Sequence, residues 1–225
     1  MGFRNDYILR MIDEMTQMVA KVLVLKQQRK HIEALWEIDE QLSKQFRLNA
    51  RLVDSLTTKD IIDMHSLQGF VEAEQLQGIA LLLHEEGKVK LEMGEREQGL
   101  KGLLKALHLF LYAEKHGADR HAFQLEQRVD EIMKEWKGYR LPSAIDELLL
   151  FHEEKRGRYA EAESVLHRLL ARGDLTDLAA VSFYERLLLL EDERLTAGGL
   201  PREEVLEGLS LVNLPRAVYP EAAQE

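Results

Sequence analysis

The first 141 residues of this 225-residue chain contain no proline, and this constrains the fold more than any other feature. Leu, Glu, Ala, Lys, Arg and Gln dominate the composition, and these residues lose little conformational freedom on entering a helix. Apolar residues recur with gaps of three and four, for example along 8–23, which places them on one helix face. No segment shows convincing strand alternation. The sequence therefore predicts an all-α fold.

Cap residues, prolines and glycines divide this pattern into ten helices. Ser, Thr, Asp and Asn accept hydrogen bonds from the free N–H groups that begin a helix, and glycine commonly ends one. The predicted helices span 6–28, 31–47, 58–67, 70–93, 96–115, 119–136, 143–156, 159–171, 176–196 and 202–212. We expect one all-helical domain over 1–214 and a frayed C-terminal tail over 215–225.

Three segments share the pattern of a helical hairpin: LKQQRKHIEALWEIDEQL, LEMGEREQGLKGLLKAL and EEKRGRYAEAESVLHRLL. Their turn residues are Arg29, Gly94 and Gly157. The small residues five positions later are Ala34, Gly99 and Ala162. The aliphatic residues four positions further on are Ile38, Leu103 and Leu166. A small residue lets two helices approach closely, and the aliphatic residue fills the space between them.

These hairpins resemble the tetratricopeptide repeat (TPR), which also combines a glycine turn, a small residue and a large apolar residue. The turns stand 65 and 63 residues apart, close to two of the ~34-residue units of that repeat. A fourth hairpin, turning at Gly198 and Gly199, fits the segment YERLLLLEDERLTAGGLPREEVLEGL. The resemblance implies antiparallel hairpins stacked as a degenerate TPR-like array, and an irregular helical bundle is the alternative.

The N-terminal segments FRNDYILRMIDEM and HIEALWEIDEQL are similar to the start of a family of uncharacterised bacterial all-helical proteins with TPR-like character. This resemblance implies a bacterial cytoplasmic protein. It brings no catalytic or binding residues with it, so the function stays open.

The net charge of −10 and the absence of cysteine argue against several classes of function. A nucleic-acid-binding surface needs an excess of basic residues, and the densest basic cluster is only KQQRKH at 26–31. Without cysteine, the chain has no disulfide and no thiolate ligand, and a reducing cytoplasm is the expected location. No run approaches the ~18 uncharged apolar residues that span a bilayer. We expect neither nucleic acid nor membrane as a partner.

Two HEE triplets, at 84–86 and 152–154, are the strongest candidates for catalysis or metal binding. Residues that share a helix face stand three or four apart, whereas adjacent residues point about 100° apart. Both triplets are therefore expected on a solvated helix face. Glycines form no phosphate-binding motif and no serine lies in a GxSxG motif. We predict no catalytic residue, no cofactor and no metal, and we do not expect an enzyme.

In a TPR-like array, the first helix of each hairpin lines the concave groove. Counting back from the turns places five partner-binding candidates there: His84, Lys88, Glu147, Phe151 and Glu154. TPR domains that clamp a chaperone's C-terminal carboxylate carry Lys, Arg and Asn at such positions, which this chain does not match. A basic or amphipathic peptide suits the last three residues better, because opposite charge steers encounter and an aromatic anchors it. The predicted function is a non-enzymatic scaffold that binds a protein or peptide.

The stripe formed by Met11, Met15 and Met18 on the first helix has two interpretations. Packing into the core is the commoner one. The alternative is a structural homodimer with the stripe as its seam, because the ends of a repeat array need polar caps and this helix is apolar. Trp36, Trp136 and Phe151 have the same two interpretations, core packing or a binding surface, and single aromatics in a helical array are mostly core wedges.

Overall fold

The computed structural model describes residues 2–67 and 69–213, without the side chains of 2–5, 67 and 213. The predicted tail at 215–225 lies outside the described residues. Twelve helices and one two-stranded hairpin form in the described part, so the all-α prediction is confirmed. The sequence predicts one domain, and the structure divides into two compact units, Met1–Leu141 (unit 1) and Pro142–Glu225 (unit 2).

Unit 1 contains seven of the described helices and the small hairpin. They are α1 (Gly2–Gln27), α2 (His31–Phe46), α3 (Ala50–Ser55), α4 (Thr58–Met64), β1 (Ser66–Leu67), β2 (Phe70–Val71), α5 (Ala73–Glu92), α6 (Arg96–Lys115) and α7 (Leu125–Glu135). The two strands are antiparallel, and Ser66 pairs with Val71. Unit 2 contains α8 (Ser143–Lys155), α9 (Tyr159–Arg172), α10 (Asp177–Leu188), α11 (Asp192–Ala197) and α12 (Arg202–Asn213).

Three of the predicted hairpin turns share one backbone geometry. Arg29, Gly94 and Gly157 have positive φ angles of 59°, 84° and 74°. In each case the N–H of the next residue donates to the carbonyl oxygen five positions before it, as Glu95 does to Lys90 at 2.9 Å. This is the Schellman ending, which satisfies free carbonyl groups of the helix and turns the chain back.

The α5–α6 hairpin is closely packed because Gly87 and Gly99 lie opposite each other. A Cβ added to Gly99 would lie 2.9 Å from the carbonyl oxygen of Gly87, and one added to Gly87 would lie 3.0 Å from that of Gly99. Leu103 packs against Gly87 and is 1% exposed. The predicted close-approach and filling positions of this hairpin are therefore confirmed. The corresponding residues of the other two hairpins are also buried: Ala34, Ile38, Ala162 and Leu166.

The methionine stripe of α1 lies in the core of unit 1. Met11, Met15 and Met18 are at most 2% exposed, which confirms the core interpretation. Trp36 is 68% exposed, so its prediction as a core wedge is wrong, whereas Trp136 is half-buried. Trp36 lies on the outer side of α2, since the buried positions of that helix are Ala34, Ile38, Leu42 and Phe46.

Several predicted boundaries differ from the structure. The helix predicted over 58–67 ends at Met64, because the chain enters the β-hairpin, and α3 was not predicted. The helix predicted over 119–136 begins only at Leu125, because residues 120–124 form turns. The helix predicted over 176–196 is interrupted between α10 and α11, where Arg202 donates to the carbonyl oxygens of Leu188 and Leu190.

Candidate functional site

The five predicted partner-binding residues form two groups, one in each unit. His84 and Lys88 stand one helical turn apart on α5, whereas Glu147, Phe151 and Glu154 lie on α8. Each group acquires partners from a neighbouring helix that the sequence pattern does not reveal.

His84 is completely buried in unit 1, at 0% exposure. Arg128 of α7 donates from Nη1 to His84 Nδ1 at 2.9 Å and to Glu85 Oε1 at 2.7 Å. Because arginine stays protonated in proteins, Nδ1 must be the acceptor. A neutral His84 therefore carries its proton on Nε2.

His84 is also one of the residues that line a surface pocket of about 200 Å³. The lining residues are His84, Lys88, Leu103, Glu131, Ile132, Lys134 and Glu135. His84 Nε2 lies 3.5 Å from Glu131 Oε2 and has no hydrogen-bond partner among the described residues. Lys88 Nζ lies 3.0 Å from the same oxygen of Glu131. The predicted cation of the groove is thus already paired with a carboxylate of α7.

The protonation states of this cluster follow from burial and from its neighbours. Burial lowers the pKa of His84, which favours the neutral imidazole. Burial alone would raise the pKa of Glu85, but the interactions with His84 and Arg128 outweigh it and lower this pKa to about 2. Burial alone would also raise the pKa of Glu131, but its hydrogen bonds with Gln127 and Lys88 outweigh this effect and lower the pKa. The cluster therefore holds two ionised carboxylates beside a neutral imidazole, Glu85 on the Nδ1 side and Glu131 on the Nε2 side.

The prediction that both HEE triplets lie on a solvated face is wrong. His84, Glu85 and Glu86 are at most 7% exposed, and His152 and Glu153 are at most 4% exposed. Residues 76–87 of α5 are all buried. Other parts of the protein therefore cover this segment of the helix on every side. A helix surrounded in this way exposes no polar face, and its charged groups need partners inside the fold.

Each buried carboxylate of these triplets has a cation within hydrogen-bonding distance. Glu85 has Arg128, Glu86 Oε1 lies 2.6 Å from Lys90 Nζ, and Glu153 receives two hydrogen bonds from Arg158. Lys90 stands at i+4 and Arg158 at i+5, so a search for nearby opposite charges would have found these two. Arg128 is 43 residues from Glu85, and no local pattern points to it.

The second group lies on the outer side of α8 in unit 2. Glu147 is exposed and Phe151 is 37% exposed. Lys155 Nζ lies 5.6 Å from the centroid of the Phe151 ring, a cation–π distance. Glu154 is half-buried and accepts two hydrogen bonds from Arg186 of α10, both of 2.8 Å. Sequence reasoning did not identify Lys155 or Arg186 as part of this surface.

Buried charge also fixes the inner side of α8. Asp146 is 0% exposed, and its two carboxylate oxygens lie 2.7 Å from Arg168 and 2.9 Å from Arg172 of α9. Breaking a buried pair leaves an uncompensated charge, so these pairs restrain the helix strongly. The exposed residues of α8 therefore stand on a rigid element.

Within residues 2–67 and 69–213, no group of three or more His, Asp or Glu side chains is arranged to hold a metal ion. None of the described helices combines the length and apolarity needed to cross a membrane.

The fold and these clusters define an all-helical protein built from antiparallel hairpins with buried ion pairs. The chain matches a family of unknown function (DUF6483) over residues 2–214, and it belongs to that family. No curated protein and no solved structure gives a significant match to the chain.

Proposed function

We propose that this chain is a non-enzymatic scaffold that binds a basic or amphipathic peptide on the outer face of α8. The observation that carries the proposal is the exposure of Glu147 and Phe151 one turn apart on that rigid helix. Glu147 makes no ion pair with any described residue, so its charge is available. An exposed aromatic beside a carboxylate suits a peptide with apolar and basic side chains at helical spacing.

Contacts within unit 2 support a TPR-like stacking of its two hairpins. The Glu154–Arg186 pair joins α8 to α10, which are the first helices of successive hairpins. The turns also meet, because Ala160 N donates to the carbonyl oxygen of Gly198 at 3.1 Å. A Cβ added to Gly198 would lie 2.4 Å from the carbonyl oxygen of Gly157. In such an arrangement, α8 and α10 line one common surface.

The electrostatics of this surface assign separate roles to its residues. Arg186 occupies both oxygens of Glu154, so Glu154 holds α10 in place and Glu147 supplies the free negative charge. Phe151 supplies the apolar anchor, and a basic side chain of the peptide can replace Lys155 over its ring. His84 and Lys88 are not part of this proposal, since His84 is buried and Lys88 is paired with Glu131.

The proposal can be tested with a fluorescein-labelled amphipathic peptide of Leu and Lys and its counterpart of Leu and Glu. Fluorescence anisotropy should show saturable binding of the Lys peptide and much weaker binding of the Glu peptide. The double variant Glu147→Lys, Phe151→Ala loses an aromatic anchor and a charge contact, together about 2 kcal/mol, so affinity should fall roughly thirtyfold.

The matched control is Glu207→Lys with Leu211→Ala on α12, where both residues are exposed and also stand one turn apart. It makes the same change in charge and also truncates an exposed apolar side chain. Binding of the Lys peptide should be unchanged in this control, and circular dichroism should show that both variants are folded. Equal loss of binding in both double variants, or equal binding of the two peptides, would contradict the proposal.

A further inference from the structure

A second surface pocket of unit 1, of about 310 Å³, lies between α1, the first turns of α5 and the segment before α7. Its apolar lining includes Met11 and Ile12 of α1 and Phe123 of the segment before α7. Met11 and Phe123 are at most 5% exposed. This volume lies at the lower end of the range of small-molecule sites, which are mostly apolar with a few polar groups.

Gln77 is the buried polar group of this pocket, at 0% exposure. Its Nε2 donates to the backbone carbonyl oxygen of Asp119 at 3.0 Å. A carbonyl oxygen only accepts hydrogen bonds, so this contact fixes which end of the amide is nitrogen. Gln77 Oε1 has no hydrogen-bond partner among the described residues. A buried acceptor without a partner is costly, and a ligand that donates a hydrogen bond would remove that cost.

The charged residues among the described lining residues of the pocket are acidic. Glu74 and Asp119 line it, and no described lining residue is basic. Asp119 Oδ1 accepts a hydrogen bond from the backbone N–H of His121 at 2.9 Å, and Asp119 forms no ion pair with a described residue. Further acidic residues lie near the same end of α1: burial, and after it the charges of Glu72 and Glu14, raise the pKa of Tyr7. An anion is therefore disfavoured and a cation favoured.

We propose that this pocket binds a small apolar ammonium compound. The apolar body of the ligand packs against Met11, Ile12 and Phe123. Its ammonium N–H donates to Gln77 Oε1, and Asp119 compensates the positive charge. This site is independent of the α8 surface, since it lies in unit 1 and recognises a different kind of ligand.

The test compares three probes of similar shape by isothermal titration calorimetry on the full chain: phenethylammonium, phenethyl alcohol and phenylpropanoate. Phenethylammonium should bind at one site per chain, the neutral alcohol more weakly, and the anion not measurably. Asp119→Asn keeps an acceptor for the His121 N–H but removes the charge. The variant should weaken the affinity for phenethylammonium about tenfold, because it removes one of the charges that attract the ammonium group. The affinity for the alcohol should be unchanged.

Glu97→Gln, at an exposed position of α6, is the matched control because it removes the same charge away from the pocket. It should leave all three probes unchanged. Ala122→Phe, at a half-buried lining position, should fill the pocket and abolish binding while the helical circular dichroism is retained. The proposal is overturned by absence of saturable phenethylammonium binding, by equal binding of the three probes, or by equal effects of Asp119→Asn and Glu97→Gln.

Discussion

Replacing Arg128 by methionine should strongly destabilise unit 1, because it leaves Glu85 as a buried and unpaired carboxylate. The Glu85 side chain is 8% exposed, and Arg128 is its only described partner of fixed positive charge. Removing one member of such a pair costs about 3 to 5 kcal/mol. Arg128 also donates from Nε to the carbonyl oxygen of Phe123 at 2.8 Å and from Nη1 to His84 Nδ1 at 2.9 Å, and loss of these two bonds adds about 2 kcal/mol. The expected total is about 5 to 7 kcal/mol.

The double variant Arg128→Met, Glu85→Leu separates the charge effect from the loss of packing. It removes the stranded carboxylate as well as the cation, and apolar replacement of a whole buried pair is often close to neutral. It should recover most of the stability and leave a deficit of about 2 kcal/mol, from the unpaired Phe123 carbonyl group and His84 Nδ1.

Urea denaturation followed by tryptophan fluorescence is the appropriate assay, since Trp36 and Trp136 both belong to unit 1. Lys59→Met is the control, because the Lys59–Asp63 pair of α4 is exposed, with side chains 81% and 59% accessible. It should not shift the transition measurably. The reasoning is refuted if Arg128→Met costs less than about 1 kcal/mol, or if the double variant is at least as destabilised as the single one.

Two further predictions use the same assay. The pKa of Glu85 is about 2 in the folded state against a usual 4.5, so its contribution is complete above about pH 5 and is lost as the pH falls towards 2. The stability difference between the natural chain and Glu85→Gln should therefore shrink by about 2 kcal/mol between about pH 6 and pH 3, and a constant difference would contradict it. Gly99→Ala should destabilise by about 2 kcal/mol, because the new Cβ would overlap the Gly87 carbonyl group. A Cβ added to Gly102 would lie 3.7 Å from its nearest neighbour, so Gly102→Ala should instead stabilise the fold by about 0.5 to 1 kcal/mol. The packing argument is contradicted if the two variants change the free energy of unfolding in the same direction.

Helix positions could be predicted well wherever local signals govern them. The predicted spans 31–47 and 96–115 correspond to His31–Phe46 and Arg96–Lys115. Positive-φ glycines and apolar spacing act within a few residues, so a single sequence contains the information. The interruption between α10 and α11 could not be predicted in this way. Arg202 satisfies the carbonyl groups there, and it is 12 residues beyond Leu190.

The candidate sites were predictable only in part. Counting from the turns selected Glu147 and Phe151, which are exposed on α8 as such a surface requires. The same counting selected His84, which is buried, because periodicity tells which residues share a helix face but not how many helices surround it. Gln77 was not selected, since a single glutamine within an apolar helix carries no recognisable motif.

The sequence by itself determined that the chain is helical and where its hairpins turn, because helix propensity, capping and glycine conformation depend on neighbouring residues. Only the tertiary structure determined which charged residues are buried. Burial of Glu85 and His84 depends on Arg128, which lies on another helix, 43 and 44 residues further along the sequence. Such a contact exists only after α5 and α7 have packed together, so no local pattern contains it.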